Sequence, residues 1–289
     1  MIVGIDIGGS TTDAVLLTNG EIVVVTIETG DPLAAAAGAL GKLLSTVGGR
    51  LADIKAVAVS GGGARCLEDQ LFGVPVAKVP EIEAIGVGGS TLAEKSSALV
   101  VSLGTGTALV SVQGNSIEHV GGTGVGGGTL LGLARHLLGV TRLDTLEQMA
   151  ATGDLTRVDL TVGDIAGGPV GIVPATATAS NFGKVRADPT PADKALALVN
   201  MVAEVTFTLS LMAARARQHK DVVLTGKLTR VGPLRDRMEA LRPRRGENVI
   251  VPPYAEYATA IGAARSVSIH EQAHPGAFFA CKKVLTKSH

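Results

Sequence analysis

Short apolar runs that stop at glycine set the rhythm of this chain. The first, Ile2, Val3, Ile5 and Ile7, is interrupted by one carboxylate, Asp6, and breaks into Gly8-Gly9-Ser10-Thr11-Thr12. That pattern reads as a strand entering a tight turn. Residues 14–17 and 21–27 continue as strands, with Asn19-Gly20 as a hairpin signal between them. The Ala- and Leu-rich stretch 34–44 predicts a helix, and 54–60 a buried strand that also ends on glycines, Gly61-Gly62-Gly63. Residues 74–79 form an extended run closed by Pro80. Residues 98–110 then repeat the opening, with apolar Leu99 to Val101, the turn Gly104-Thr105-Gly106-Thr107, and an apolar run from Leu109 to Val112. Two such hairpins, about 100 residues apart, predict a duplicated α/β fold whose tips face one another across a cleft.

Beyond residue 120 the pattern turns helical. In VGGTGVGGGTLLGL (120–133) six glycines lead into Leu130, Leu131, Leu133, Leu137 and Leu138. Residues 145–152 read as a short helix, 153–168 as a loop-rich stretch with Asp159 and Asp164, and 180–183 as a polar turn carrying Phe182. A long helix over 193–218 places Leu196, Val199, Ala203, Phe207, Leu211 and Ala214 on one face. Its other side is also fairly apolar, which predicts a buried helix or a subunit contact. A strand follows at 221–226, then a helix at 232–241 with Arg242, Arg244 and Arg245 beyond it as a solvated basic face. The last strand is 249–251, and 257–265 is a small-residue helix in which Gly262 permits close backbone contact. Residues 270–289 read as a weakly structured tail.

Composition narrows the functions. Aromatic residues are 2% of the chain and Trp is absent, which argues against modules that stack nucleic-acid bases. Lys plus Arg equals Asp plus Glu at 26 each, so no overall field recruits polyanions and phosphate chemistry has to be local. Cys66 and Cys281 form no close pair, which leaves no disulfide framework and no iron–sulfur or zinc site. No basic leader precedes the first apolar run, and the longest apolar stretch, 195–214, contains Asn200 and Glu204. The expectation is a cytoplasmic protein that engages neither membrane nor nucleic acid.

The candidate chemistry lies at the glycine turns. Gly8 and Gly9 lack a Cβ, so several backbone N–H groups can point into one hollow, and Ser10, Thr11 and Thr12 add hydroxyl donors. A tight hairpin with Asp6 as a turn residue is the plain alternative. As a site, this is a phosphate cradle in which Asp6 holds Mg²⁺ through water. The glycine loop that opens the helix near residue 127 is a second anion site, because free N–H groups and the helix dipole both favour phosphate. Glu81 and Glu83 follow Pro80 two residues apart, and on an extended segment they point to opposite sides, so at most one faces a cleft. A kinase acting on an alcohol needs such a carboxylate to accept the hydroxyl proton. The bare sequence favours a solvated helix N-terminus for both residues, where acidic side chains suit the dipole.

The blocks 4–13, 101–110, 222–226 and 258–264 resemble the phosphate-1, phosphate-2, adenosine and second connecting segments of the actin-like ATPase superfamily. Within it the chain resembles the type II pantothenate kinases over residues 3–264. The specific marks are VGGTGVGGGT (120–129) with Leu131-Gly132-Leu133, Leu146-Glu147-Gln148-Met149-Ala150 with Gly153-Asp154, and Ser180-Asn181-Phe182-Gly183. The resemblance implies a duplicated actin-like, ribonuclease H-like α/β fold, with residues 1–95 and 96–270 as lobes around a nucleotide cleft and 271–289 as a tail. It implies ATP and Mg²⁺ as cofactors, a small-molecule alcohol as acceptor, pantothenate first, and a homodimer formed through the long helix. Glu81 would be the general base and Glu83 the acidic residue that follows it. Asp6 would organise Mg²⁺. Gly8, Gly9, Ser10, Thr11 and Thr12, with Gly104, Thr105 and Gly106, would wrap the phosphates, and Gly126, Gly127, Gly128 and Thr129 would cap them. Gly226 and Lys227 would border the adenine, and Thr107, His119 and Asn181 would meet the acceptor. His119 stands where the family has Arg, and Asp13 where it usually has Lys. A different alcohol, a partner-remodelling ATPase switch, and a nucleotide binder without transfer activity are the other readings. The two separated cysteines do not supply the cluster ligands that radical-dehydratase activators need.

Overall fold

The structure, a computed structural model, describes residues 1–17, 21–185, 188–241 and 246–273. The Asn19-Gly20 turn signal and the Arg242, Arg244 and Arg245 cluster lie outside the described residues, as does 274–289. Strands β1 (Ile2–Ile7), β2 (Thr11–Leu17) and β3 (Ile22–Glu28) form an antiparallel meander. Helix α1 (Pro32–Val47) crosses to β4 (Ala56–Ser60), which runs parallel to β1; β5 (Gln70–Leu71) and β6 (Val74–Lys78) complete the sheet. Its order is β3-β2-β1-β4-β6-β5. Helix α1 starts where Asp31 accepts the Ala34 N–H and Pro32 takes the first helical position; it stops at Gly48, at φ 62°.

Helix α2 (Glu81–Ala93) leads into the second half. There β7 (Ser97–Leu103), β8 (Thr107–Gln113) and β9 (Ser116–Thr123) form the same meander. Helices α3 (Gly127–Leu138) and α4 (Leu143–Ala150), the small β10 (Leu160–Thr161), α5 (Val162–Ala166) and β11 (Thr178–Ser180), and the long α6 (Pro191–Ala216) then follow. The chain returns through β12 (Asp221–Thr225), α7 (Gly232–Leu241), β13 (Asn248–Ile250) and α8 (Ala258–Ala273). Read from its antiparallel edge, this sheet is β9-β8-β7-β12-β13, the order of β3-β2-β1-β4-β6. The duplication expected from the two glycine hairpins is therefore present in five strands of each sheet, with β5 the addition in the first.

Each half has its own core. In the first, α1 lays Ala36, Ala39, Leu40 and Leu43 on Val3, Ile5 and Val57. In the second, α6 buries Leu198, Val199, Val202 and Phe207 against Leu99, Val101 and Leu224. The α6 helix is long and apolar enough to cross a membrane by length and composition, and most of its apolar window is buried inside the protein. Between the halves run α2 and α8, which pack on one another. An added Cβ at Gly88 would stand 1.8 Å from the Ala258 carbonyl oxygen, and one at Gly262 would stand 1.8 Å from that of Ala84. The helices thus touch backbone to backbone through an Ala-x-x-x-Gly pair on each side. Although residues 96–270 read as one lobe, α8 packs on the first sheet, with Ala263 and Val267 against Ala58 and Ala77.

Three expectations change. Glu81 and Glu83 sit in the first turn of α2, which is the helix N-terminus the sequence favours and not the extended segment that would point them to opposite sides. Pro80 before them is the N-cap, with φ −54° and ψ 135°, the non-helical backbone from which a helix begins. The stretch 153–168 holds β10 and α5, the latter closed by a Thr161–Asp164 capping box. Residues 270–273, read as the start of the tail, form the last turn of α8.

Candidate active site

The two glycine hairpins meet at their tips. A methyl group at Gly9 would lie 3.9 Å from the Thr105 hydroxyl, so the two tips face one another at close range. The first tip is closed by Gly8 N–H donating to the Thr11 carbonyl at 3.0 Å, and Gly9 and Ser10 are exposed. Behind it, Thr12 is buried with its hydroxyl 2.8 Å from that of Thr29, where it braces the turn. The second tip closes through Gly104 N–H to the Gly106 carbonyl at 2.9 Å.

The glycine loop before α3 is knitted onto the second tip. Gly127 N–H donates to the Gly104 carbonyl and Gly128 N–H to the Thr105 carbonyl, both at 2.8 Å. The buried Thr107 hydroxyl donates to the Val125 carbonyl, and Thr129 to that of Gly124, each at 2.9 Å. A Cβ on Gly126 would stand 2.7 Å from the Thr105 carbonyl oxygen, so only glycine fits there. The amides of Gly127 and Gly128, expected to cap phosphate, thus hold loop to hairpin in this conformation. Residues 120–123, expected within the glycine loop, are the end of β9.

Beside the tips stands a carboxylate cluster. Asp6, on β1, pairs in register with Asp13 on β2 and with Ser60 on β4. Burial first, then the carboxylates of Asp13 and Glu81, push the Asp6 carboxyl up to about 7, against the opposing pull of Lys227. Glu81, exposed at the start of α2, is one of the two carboxylates whose charge raises Asp6. The backbone leaves no slack here. Gly61 has φ 83°, and a Cβ on it would reach 2.4 Å from Asp6 Oδ1. The Ser60 hydroxyl is buried with no partner among the described groups. No cluster of three His, Cys, Asp or Glu able to hold a metal occurs among the described residues. An excess of negative charge at one partly buried carboxylate fits a cation that arrives with a phosphate and keeps most of its water.

Gly226 follows β12 at φ 89°, and a Cβ there would stand 2.6 Å from the Leu103 carbonyl oxygen. The next residue, Lys227, reaches the first half: its Nζ lies 2.6 Å from Asp13 Oδ1 and 3.2 Å from Thr26 Oγ1, over the Tyr257 ring at 4.7 Å. Sequence reasoning marked Asp13 as a departure and placed Lys227 at the adenine, but missed that they are partners. Thr26 and Tyr257 were missed altogether. Two acceptor-site expectations stand apart from the tips. His119 is exposed on β9, level with Val110, and Asn181 donates its amide to Glu204 on α6 at 2.8 Å.

Comparisons with known proteins agree with this architecture. The Fumble family matches residues 93–241. A type II pantothenate kinase of Oceanobacillus iheyensis is 36% identical over 181 residues, covering 60% of this chain and 68% of the relative. One from Bacillus cereus is 29% identical over 182 residues, covering 60% and 67%. Among solved structures, the activator of the 2-hydroxyisocaproyl-CoA dehydratase from Clostridium difficile with bound ADPNP superposes with a TM-score of 0.67 at 18% identity, over 100% of this chain and 99% of its own. A ROK family glucokinase from Streptomyces griseus, in complex with glucose and AMPPNP, gives 0.56 at 15% identity, over 92% and 98%. These two likenesses establish the fold alone. By the Fumble match and its curated relatives, the chain belongs to the Fumble family and stands with the type II pantothenate kinases, a phosphotransferase on the actin-like ATPase fold.

Proposed function

We propose that this chain transfers the γ-phosphoryl group of MgATP to the primary alcohol of pantothenate. The observation that carries the reading is the position of Glu81, at the start of α2, close enough for its charge to raise the Asp6 carboxyl on β1, beside two glycine tips that face one another. In this account Glu81 accepts the hydroxyl proton of the acceptor as its oxygen attacks phosphorus. The exposed backbone of Gly9 and Ser10, with Thr105 opposite, lies along the phosphates. Asp6 holds the solvated Mg²⁺, which when bound neutralises charge on the phosphate oxygens. The reading includes a cytoplasmic homodimer that uses the outer side of α6, where Leu209 and Met212 are exposed.

ADP release from MgATP with and without pantothenate tests it. Pantothenate should stimulate the wild type, and Glu81→Gln should lower the stimulated rate about 10²- to 10⁴-fold while ATP still binds. Tight ATP binding without stimulation would remove pantothenate as the acceptor. A different alcohol is then the second reading, and the feature that favours it is His119. An imidazole, shorter than a guanidinium and without its forked donors, recognises a carboxylate differently from the Arg that the family resemblance leads one to expect.

A further inference from the structure

The hairpin that meets the phosphates brings no positive charge of its own. No Lys or Arg occurs before Lys42, and none occurs from residue 96 to 134, a span that includes the second hairpin and the glycine loop. A nucleotide polyphosphate settling between the tips therefore meets amides, hydroxyls and the carboxylates of Asp6, Asp13 and Glu81. One ammonium is delivered there from the other half. Lys227 follows β12 in the chain, yet its Nζ is held by Asp13 and Thr26 on the first sheet, 214 and 201 residues away in sequence. Asp13 is buried and its Oδ1 accepts from both Thr26 and Lys227, so the acceptor is a fixed point. The face of Tyr257 lies on another side of the ammonium, which confines it further. Asp13 is also the register partner of Asp6, so the ammonium stands at the same sheet end as the Gly8 turn.

We propose that Lys227 is the counter-charge for the nucleotide phosphates, supplied by the second half to a hairpin that has none, and that Asp13 is the residue that positions it. The inference rests on the reading of the cleft as an ATP site. It assigns the acidic residue in the first hairpin a purpose: it fixes a lysine borrowed from the other half. Of the three N–H donors of the ammonium, Asp13 and Thr26 take two, which leaves one for a phosphate oxygen.

Isothermal titration of ATP, ADP and adenosine into the wild type, Lys227→Ala, Lys227→Arg and Asp13→Asn tests the assignment. Lys227→Ala should weaken ATP about 10- to 100-fold, weaken ADP less, and leave adenosine unchanged. Lys227→Arg should recover most of the ATP affinity, and Asp13→Asn should lose part of it, again sparing adenosine. Should Lys227→Ala not fold, Lys227→Met keeps the stem over Tyr257 and carries the same comparison. Equal losses for ATP and adenosine, or unchanged ATP affinity in a folded Lys227 variant, would overturn the proposal and leave the pair a strut between the halves. A wild type that binds none of the three ligands overturns this assignment together with the ATP site. A wild type that binds ATP through Lys227 but transfers no phosphate supports the assignment and overturns the kinase reading alone.

Discussion

The two halves share a backbone and divide the chemistry. Thr12 and Thr107, at the start of the second strand of each hairpin, pair with Ile7 and Leu103, the last residues of the first. Gly61 and Gly226 follow the equivalent parallel strands β4 and β12 at φ 83° and 89°. Yet one residue below the tips the register pair is Asp6 with Asp13 in the first half and Ser102 with Ala108 in the second. Residues that make the turn are required twice, because the backbone geometry is required twice. Charge appears once, since a second carboxylate pair facing the first would add repulsion to a site already crowded enough to raise Asp6. The second half contributes a cation and the glycine loop instead.

The shared part is tested most severely at the helix pair. Gly88→Ala and Gly262→Ala each force a Cβ into the opposing carbonyl, and each should cost about 3 kcal/mol in urea unfolding. Markedly unequal losses would break the two-fold reading of this contact. Smaller effects are expected at the strand ends, where Gly61→Ala and Gly226→Ala combine a positive φ with a close backbone approach, for about 2 kcal/mol each. These two separate shape from charge: only the Gly61 change presses on Asp6, so only it should move the pH dependence of activity.

The charge difference itself appears in the pH dependence of stability. The folded Asp6 carboxyl titrates near 7 against an ordinary value of 3.8, so the folded state binds the proton more tightly. Its contribution is complete below 3.8 and is lost as pH rises toward 7. Asp6→Asn should therefore stabilise the ligand-free protein at pH 8, by about 1 kcal/mol once solvent screening in an open cleft is allowed for, while abolishing transfer. The second half has the opposite slope. His219 is buried between the hydroxyls of Ser97 and Ser111, and burial, helped by the charge of Arg217, pulls its imidazole below 6.5. Its contribution is complete above 6.5 and fades as pH falls. His219→Gln should flatten the acid side of the stability profile, the smallest of these effects. Thermal scans from pH 4 to pH 9 would read both slopes, and a single slope would defeat the comparison.

What the sequence made legible was local. Asp6 before Gly8-Gly9, the repeat at Gly104, the helix over 232–241 and the close contact at Gly262 all depend on neighbours in the chain, and the structure has each of them. Glu81 was harder, since Pro80 excludes little: the same dipeptide ends a strand or starts a helix. The buried seam in which Asn200 donates to Asp159 at 2.8 Å and accepts from Arg237 at 2.7 Å left no trace in periodicity. The Asp13–Lys227 pair was illegible for the same reason in stronger form. Each residue taken alone is an ordinary surface charge, and only the closure of two sheets on one cleft makes them neighbours.

Helix α8 has a consequence for how the protein is made. It covers one face of the first sheet: Val15 meets Ala260 and Ile261, and Gly4 has room for no more than a hydrogen against the Ala260 carbonyl. Yet these helix residues are synthesised some 240 positions after the strands they cover. Until they leave the ribosome, the N-terminal sheet carries an apolar face with nothing upon it, a condition in which nascent chains associate or recruit chaperones. A chain released before residue 258 is therefore expected to aggregate, and supplying 246–273 as a separate peptide should restore its solubility.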